Sequence, residues 1–275
     1  MISRRRPGIS PNSLIGSLKG SPWYGRAGAD NLMVIGLYKV SLILESTRPL
    51  PLLSWSGVVA ARIVKECIGG REGLVSVEPL QKEGQPLNAS PSKPSTIEEP
   101  NILLGATLNT TGFYRLRSSL PGCLDRWGFR VISFEVERWV PRLPRRVTTS
   151  RDAIEFTVEY WPTIYMFRSR PILYPSPQRL VYSVFSALAR HTGLSLKGYA
   201  NTLASNVELL GWNGRVGLYS IGRDRKVRAF YGRATYAATA RYVELLQLVM
   251  EAAQVLHVGK SRGIGFGAVK TGSIM

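Results

Sequence analysis

The stretch Gly259-Lys260-Ser261-Arg262-Gly263-Ile264-Gly265-Phe266-Gly267 lies near the end of this 275-residue chain and holds four glycines and two cations. Glycine has no Cβ, so a ligand can approach the backbone N–H groups of such a loop closely. Lys260 supplies a compact charge, and Arg262 supplies a planar fork that suits phosphate oxygens. The stretch therefore predicts a loop that binds phosphate.

The elements predicted on either side of this loop exclude two nucleotide-binding motifs. An amphipathic helix is predicted over residues 241–256, before the loop, and a strand over residues 264–269, at its end. P-loop and Rossmann sites need their glycines after a strand and before a helix. The order found here is the reverse, and a plain flexible turn stays open as the alternative to a phosphate loop.

The charge balance of the whole chain points to a polyanionic partner. The sequence has 36 Lys and Arg against 18 Asp and Glu, a net charge of +18 and a pI near 10.3. Arginine also recurs beside aromatic residues, as in Arg228-Ala229-Phe230-Tyr231-Gly232-Arg233. Such groups neutralise phosphates and stack on unpaired bases. Arg228, Tyr231 and Arg233 are therefore predicted to bind RNA, and a basic surface that only keeps the protein in solution is the alternative.

Other features of the sequence predict a cytoplasmic protein that needs no metal or other cofactor. No apolar run approaches the ~20 residues of a membrane span, and no apolar signal core follows the first arginines. Cys67 and Cys123 fit no paired-cysteine motif, which is compatible with a reducing cytosol. His191 and His257 are the two histidines, and neither has a second ligand at metal-binding spacing.

The first half of the chain opens with a predicted strand and helix. Residues 1–30 have the composition of a mobile basic arm. The apolar run over residues 32–44 predicts a central strand, and the spacing over residues 52–68 predicts a helix that ends at Gly69-Gly70. A long exposed loop over residues 81–100 and strands over residues 112–120 and 130–138 are expected to follow.

The second half shows the order β-α-β-β-α-β. Ser176-Pro177 predicts the start of a helix that ends at Gly193. The other predicted elements are strands at 153–160 and 164–167, a β-pair at 207–220 and 226–237, the helix at 241–256 and the terminal strand. This order is that of a ferredoxin-like unit, so the sequence predicts an α+β fold of two such units in tandem. The expected domains are 31–145 and 146–275, with a basic connector near residues 141–146.

With this order, the C-terminal half resembles the CRISPR-associated endoribonucleases that process precursor CRISPR RNA, which are members of the RAMP superfamily. The segment from Ala229 to Tyr236 is similar to the family's aromatic-glycine strand, and Leu256 to Gly267 is similar to its glycine-rich signature. Prolines at positions 162, 175 and 177 are similar to a further recurring sequence feature of the family. The likeness covers residues 154–269 well and the first half in outline.

The resemblance implies a double ferredoxin-like fold and metal-independent cleavage within the CRISPR repeat, by attack of a ribose 2′-oxygen on the adjacent phosphate. It also implies that the glycine-rich signature, Gly259, Lys260, Ser261, Arg262, Gly263, Gly265 and Gly267, contacts the RNA. Other CRISPR effector subunits and a homodimer stay open as partners, and no membrane is involved.

Three catalytic arrangements stay open, because many family members place a histidine in or before the first helix. Here Leu53-Ser54-Trp55-Ser56 occupies that region. In the first arrangement Lys39, Arg48, Arg62 or Lys65 joins Lys260 and Arg262 around the phosphate. In the second His257 is the acid, since a helix C-terminus favours imidazolium, with a helix cap as its alternative. In the third the chain is an inactive RAMP subunit that binds the repeat-derived RNA without cleaving it.

Overall fold

The fold is built on two main antiparallel β-sheets, each of which carries helices on one face, and two small sheets of two strands each are added to them. A computed structural model describes residues 36–98, 100–143, 152–194, 196–222, 224–272 and 274. These residues all belong to one contact unit, Val34–Met275. The predicted arm over residues 1–30 and part of the predicted connector lie outside the described residues. Both stay predictions, as does the boundary between residues 145 and 146.

The first half is a ferredoxin-like unit with additional short strands. Its elements are β1 (Leu37–Ser46), β2 (Leu50–Leu52), α1 (Ser56–Cys67), β3 (Leu74–Val77), β4 (Gln81–Lys82), β5 (Gln85–Pro86), β6 (Ser95–Ile97), β7 (Ile102–Leu108), α2 (Thr110–Trp127) and β8 (Phe129–Trp139). The main sheet has the order β5-β4-β7-β1-β8, and β3 also pairs with β7. Strand β1 therefore lies inside the sheet, as the apolar run over residues 32–44 predicts.

The second half repeats the unit, and the predicted tandem α+β fold is confirmed. Its elements are β9 (Ala153–Thr163), β10 (Tyr165–Phe167), β11 (Arg170–Ile172), α3 (Pro177–Thr192), α4 (Lys197–Ala204), β12 (Val207–Ser220), β13 (Lys226–Thr239), α5 (Val243–Leu256) and β14 (Val269–Thr271). Single 3-10 turns lie at Ala240–Tyr242 and Arg262–Ile264. The sheet order is β12-β13-β9-β14.

Helix α3 begins and ends where its sequence predicts. The Ser176 hydroxyl accepts a hydrogen bond from the Arg179 N–H at 3.4 Å, and Pro177 occupies the first turn. Gly193 ends the helix with a φ of 74°. The predicted apolar face is buried against the second sheet and consists of Leu180, Val181, Val184 and Leu188. The opposite face is left to solvent, and it carries polar residues.

Helix α2 replaces the strand expected over residues 112–120, so that prediction is wrong. The aromatic and apolar residues there have helical spacing, and the buried ones are Phe113, Leu116, Leu120, Cys123 and Leu124. The side chain of Asn109 caps the helix by accepting from the Gly112 N–H at 2.9 Å, and Gly128 ends it with a φ of 76°. Pro121 within the helix made the segment look discontinuous in the sequence.

Two further predictions for irregular segments need correction. Residues 81–100 are not one exposed loop, because β4, β5 and β6 lie there and Gln81, Ala89 and Ile97 are buried. Residues 264–269 are not one strand, because Gly265 and Gly267 have φ values of 79° and 76° that break an extended chain. Helix α4, over residues 197–204, was not predicted at all.

The two cysteines form a disulfide, although the sequence showed no paired-cysteine motif and was compatible with a reducing cytosol. Cys67 ends α1, Cys123 lies within α2, and their Cα atoms are 5.4 Å apart. The Ser119 hydroxyl of α2 also donates to the backbone oxygen of Cys67. Sequence spacing did not indicate the pair, because the contact is made only when both helices pack on the same face of the first sheet.

The two halves meet through α1, β3 and β7 on one side and α5 with its following loop on the other. The Ser76 and Thr107 hydroxyls both donate to the backbone oxygen of Val255, at 2.9 and 2.7 Å. The Trp55 N–H donates to the Ser220 oxygen at 2.8 Å, and its buried ring packs on Tyr219. No described helix is both long and apolar enough to cross a membrane.

Candidate nucleic-acid interface

The loop that follows α5 is held inside the protein at both of its ends. His257 is buried and ends α5 with a φ of 57°, and the Lys260 N–H donates to the Ile164 oxygen at 2.8 Å. The Gly267 N–H donates to the Pro162 oxygen at 2.9 Å. These amides have protein acceptors, so they are not available to a ligand.

Packing accounts for three of the four glycines in the loop. A Cβ on Gly259 would lie 2.4 Å from the Ile164 oxygen, and one on Gly267 would lie 1.8 Å from the Val258 oxygen. A Cβ on Gly265 would lie 2.5 Å from the Cα of Gly57 in α1. Only Gly263 has open space beside it among the four. The glycine pattern that suggested ligand contact therefore reflects close backbone packing, and the approach of Gly265 to Gly57 is between the two halves.

The side chains of this loop, by contrast, line an open cleft of about 750 Å³. Lys260 is exposed, and the partly buried Arg262 donates to the Leu256 oxygen at 3.4 Å. The polar face of α3 forms the opposite wall with Arg179 and Arg190. No described Asp or Glu lines the cleft, so the cations are left for an anion to neutralise.

The pKa values of the groups around Arg262 show how concentrated this charge is. Burial, and then the neighbouring Arg190, lower the pKa of Arg262 to about 10. His191, which also lines the cleft, has its pKa lowered to about 4 by burial and by Arg262 and Arg190. A bound phosphate would relieve the repulsion between these groups.

His257 does not carry the charge that a role as general acid requires. Burial, followed by the charges of Arg262 and Lys39, lowers its pKa to about 3. Its Nδ1 atom is buried and has no hydrogen-bond partner. At neutral pH the imidazole is therefore neutral, and the buried ring occupies the cap position of α5. This geometry does not support a role as a general acid.

The cations predicted in the first half are scattered by the fold. Lys39 in β1 is partly buried and pairs with Glu78 at 3.9 Å. The other end of that strand, Ser46, is about 23 Å from Lys39 at ~3.3 Å per residue. Arg48 lies just beyond this end and donates to the Arg126 oxygen at 3.2 Å. Arg62 is exposed on α1, where Lys65 is partly buried. Lys39 alone of these cations affects the pKa of His257.

The aromatic and basic residues predicted on β13 divide between two faces of the sheet. Arg228 lies on the same face as the buried Phe230, because side chains alternate along a strand. Tyr231 and Arg233 lie on the other face, where the guanidinium of Arg215 stands 5.1 Å from the Tyr231 ring centroid. Arg233 is opposite Glu159 in the sheet. These three residues do not line the cleft.

The aromatic side chains of Tyr38 and Trp55 in the first half pack against other parts of the chain. The Tyr38 ring stacks on Phe113 with centroids 4.3 Å apart. Trp55 is fully buried, and Ser56 beside it donates to the Leu80 oxygen at 3.2 Å. Among the described residues, no three His, Cys, Asp or Glu side chains form a group that could hold a metal ion.

Sequence reasoning missed the arginines of α3, although a signal was present. Arg179, Ser183, Ser186 and Arg190 recur at intervals of three and four residues, opposite the buried face. The helix had been recognised by its apolar face alone. The polar face of α3 can be recognised as one wall of a cleft only when the fold places residues 259–263 beside it.

Comparison with known proteins gives a family match in the second half. Residues 159–269 match the family model of the CRISPR-associated endoribonuclease Cas6. These residues include both α3 and the glycine-rich loop. No curated protein matches the chain in sequence.

Solved structures of Cas6 proteins share the fold over most of the chain. A Cas6 substrate mimic complex is 17% identical, with a TM-score of 0.60 over 86% of this chain and 100% of that one. Cas6 of Thermus thermophilus is 15% identical, with a TM-score of 0.59 over 86% and 98%. A chain of a partial Cas6-RT-Cas1–Cas2 complex is 10% identical, with a TM-score of 0.58 over 87% and 47%.

At these identities the structural likeness establishes the fold, while the family match rests on the sequence of the second half. The two findings agree, because the family model covers the half that carries the cleft and the structural matches extend through both ferredoxin-like units. Residues 159–269 thus match the model of the CRISPR-associated endoribonuclease Cas6 family, and the chain has the fold of Cas6 proteins.

Proposed function

We propose that the chain is an RNA endonuclease that cleaves precursor CRISPR RNA within its repeat. The family match over residues 159–269 is the observation that carries the proposal. A net charge of +18 and a cleft without described carboxylates suit a polyanionic substrate. Cas6 proteins of the same fold form complexes with a substrate mimic and with product.

The proposed reaction is attack of a ribose 2′-oxygen on the adjacent phosphorus. The 2′-hydroxyl loses its proton, the O2′–P bond forms, the P–O5′ bond breaks, and O5′ takes up a proton. The products are a cyclic phosphate and a 5′-hydroxyl. Negative charge grows on the phosphoryl oxygens as the bond forms, and fixed cations stabilise it. Lys260, Arg262 and Arg190 are the cations that we place around this group.

The cations predicted in the first half are not placed around this phosphate. Lys39 pairs with Glu78 and lines a separate cavity with Glu137 and Glu251. Arg48 is bound to the end of α2, and Arg62 faces solvent on α1. His257 is also left out as an acid, since its pKa of about 3 leaves it unprotonated at neutral pH.

Metal independence is part of the proposal and is tested together with the mechanism. Purified protein is incubated with labelled repeat RNA in EDTA, beside the same RNA with a single 2′-deoxy at the cut site. We expect cleavage in EDTA, a cyclic phosphate on the upstream product, and no cleavage of the deoxy substrate. Cleavage of the deoxy substrate would contradict attack by the 2′-oxygen, and loss of activity in EDTA that Mg²⁺ restores would contradict metal independence.

The second candidate is a catalytically inactive RAMP subunit that binds the repeat-derived RNA. The observation that favours it is that Leu53-Ser54-Trp55-Ser56 occupies the region in which many family members place a histidine. Tight binding of an intact repeat under all these conditions would select this function. In either case the proposed partner is CRISPR repeat RNA.

Protein partners form a separate part of the proposal. The occurrence of a Cas6 fold in a Cas6-RT-Cas1–Cas2 complex makes other CRISPR proteins reasonable partners. A homodimer is the other possibility that the sequence left open. Size-exclusion chromatography with light scattering, with and without RNA, distinguishes a monomer from a dimer.

A further inference from the structure

A hairpin beside the basic cleft presents an aromatic ring between two arginines. Strands β10 and β11 are joined at Arg168 and Ser169, which have φ values of 45° and 67°. Two positive φ values are usual in such a turn, but Asn and Gly normally occupy the positions. Here neither residue is one of these, and such strained conformations gather at functional sites.

The ring that this hairpin presents is available to a ligand. Phe167 is 49% exposed, and the guanidinium carbons of Arg179 and Arg168 lie 4.9 and 5.5 Å from its centroid. Tyr182, one turn along α3 from Arg179, is 41% exposed and lines the cleft. Exposed aromatic rings between arginines are the groups on which unpaired bases stack.

The charges behind these rings are not neutralised by any carboxylate of the described residues. Arg179, Arg190, Lys260 and Arg262 all line the cleft, and within the described part of the chain none of them forms an ion pair. Ser183 and Ser186 add hydroxyls on the same wall. The cleft thus combines phosphate-binding cations with stacking surfaces at its rim.

From this arrangement we propose that an unpaired segment of the RNA lies in the cleft between α3 and residues 259–263, with at least one base stacked on Phe167. A paired segment fits less well, because its bases are already stacked and its grooves offer mainly backbone and sugar. The phosphates of the segment would lie along Arg179 and Arg190 and reach Lys260 and Arg262. The inference relies on the proposed function for the identity of the polymer.

The charge part of the inference is tested by binding at several salt concentrations. The probe is a short unpaired oligouridylate, titrated against the full chain and against an Arg179→Ala/Arg190→Ala variant. We expect weaker binding and a salt dependence whose log–log slope falls by about 1.4, from ~0.7 per lost contact on a single strand. The control variant, Arg115→Ala/Arg117→Ala, removes the same charge from exposed positions on α2 and should keep the slope of the parent.

The stacking part uses 2-aminopurine in the same oligonucleotide, since its fluorescence falls when it stacks. Phe167→Leu should abolish the quenching and weaken binding at least fivefold, the lower limit for one stacked base. Tyr114→Leu is the control, because it changes an exposed aromatic residue on α2. It should leave the quenching and the affinity unchanged. A blunt RNA duplex should bind the Phe167→Leu variant and the parent equally.

Two results would overturn the inference. One is an Arg179→Ala/Arg190→Ala variant that behaves like its control, and the other is equal weakening of duplex and single-strand binding. Thermal melting of each variant shows whether it is folded. These experiments measure only binding, so they can support the inference even if the protein proves not to cleave RNA. Conversely, if the protein cleaves RNA but its cleft variants bind the oligonucleotide normally, the inference is refuted and the proposed function stands.

Discussion

His257 shows what burial among cations does to a single titratable residue. Its folded-state pKa is about 3, against 6.5 for the unfolded residue, because burial and the charges of Arg262 and Lys39 disfavour the imidazolium. The unfolded chain therefore binds more protons between these pH values. Stability that is present above pH 6.5 is lost as the pH falls toward 3, by on the order of a few kcal/mol for this group.

A His257→Asn variant tests this pH dependence. Asn does not titrate and tolerates the positive φ of the position. The free energy of unfolding, from urea denaturation at pH 7 and pH 5, should fall less in the variant than in the parent between the two pH values. Equal falls would show that His257 is not responsible. The comparison cancels the contribution of carboxylates, which both proteins share.

A second residue-scale prediction concerns Gly57, at the start of α1. A Cβ there would lie 2.4 Å from the Ile264 oxygen and 2.7 Å from the Cα of Gly265. Gly57→Ala should therefore destabilise the protein by ~1–3 kcal/mol, because the loop must move away from α1. Gly122→Ala in α2 is the matched control, since nothing lies within 4 Å and alanine favours a helix by about 1 kcal/mol. Equal melting temperatures for the two variants would contradict the close packing.

At this scale the sequence predicted the cations of the loop but not the purpose of its glycines. Lys260 and Arg262 do line a cleft, as the charge of the segment suggested. Gly265 and Gly267 instead meet the backbone at Gly57 and Val258. A sequence shows that glycine is required at a position, but whether a ligand or another part of the chain approaches it depends on the tertiary structure.

At the scale of elements, the Cys67–Cys123 bond ties α1 to α2 on one face of the first sheet. The cysteines are 56 residues apart, and closing a loop of that length in the unfolded chain corresponds to about 4 kcal/mol in the chain-entropy model. A Cys67→Ser/Cys123→Ser variant should unfold at lower urea concentration and gain nothing from an oxidant. If dithiothreitol lowers the stability of the variant as much as that of the parent, the disulfide is not the cause.

The elements that the sequence predicted well are those whose signals are local. Helix α3 has a serine cap, a proline in its first turn and a closing glycine, and β12 and β13 are long runs with a turn between them. Helix α2 failed because its aromatic residues favoured a strand, and the Asn109 cap was overlooked. Strand β14 was placed too early, since the left-handed glycines before it cannot be recognised without the fold.

For the whole molecule, the sequence predicted two ferredoxin-like units but not how they meet. The order of elements follows from local patterns, whereas the contact depends on side chains that show no pattern. Ser76 and Thr107, from two strands of the first sheet, converge on one backbone oxygen at the end of α5. The last carbonyls of a helix lack partners within the helix, so these hydroxyls satisfy a group that would otherwise be left without one.

Because Ser76 and Thr107 both donate to the Val255 oxygen, substitutions at the two positions should not have additive effects on stability. Ser76→Ala and Thr107→Val should each cost about 1 kcal/mol of unfolding free energy, because one donor to the Val255 oxygen remains. The double variant should lose more than the sum of the two, by ~0.5–3 kcal/mol, since that buried oxygen then has neither donor. Ser118→Ala is the control, because its hydroxyl bonds the Arg115 oxygen within α2, at the surface, and its effect should simply add. Urea denaturation of the four proteins of the cycle gives the coupling energy. If the effects of Ser76→Ala and Thr107→Val simply add, solvent or another group must reach the Val255 oxygen. The two halves would then be less tightly joined than these hydrogen bonds indicate.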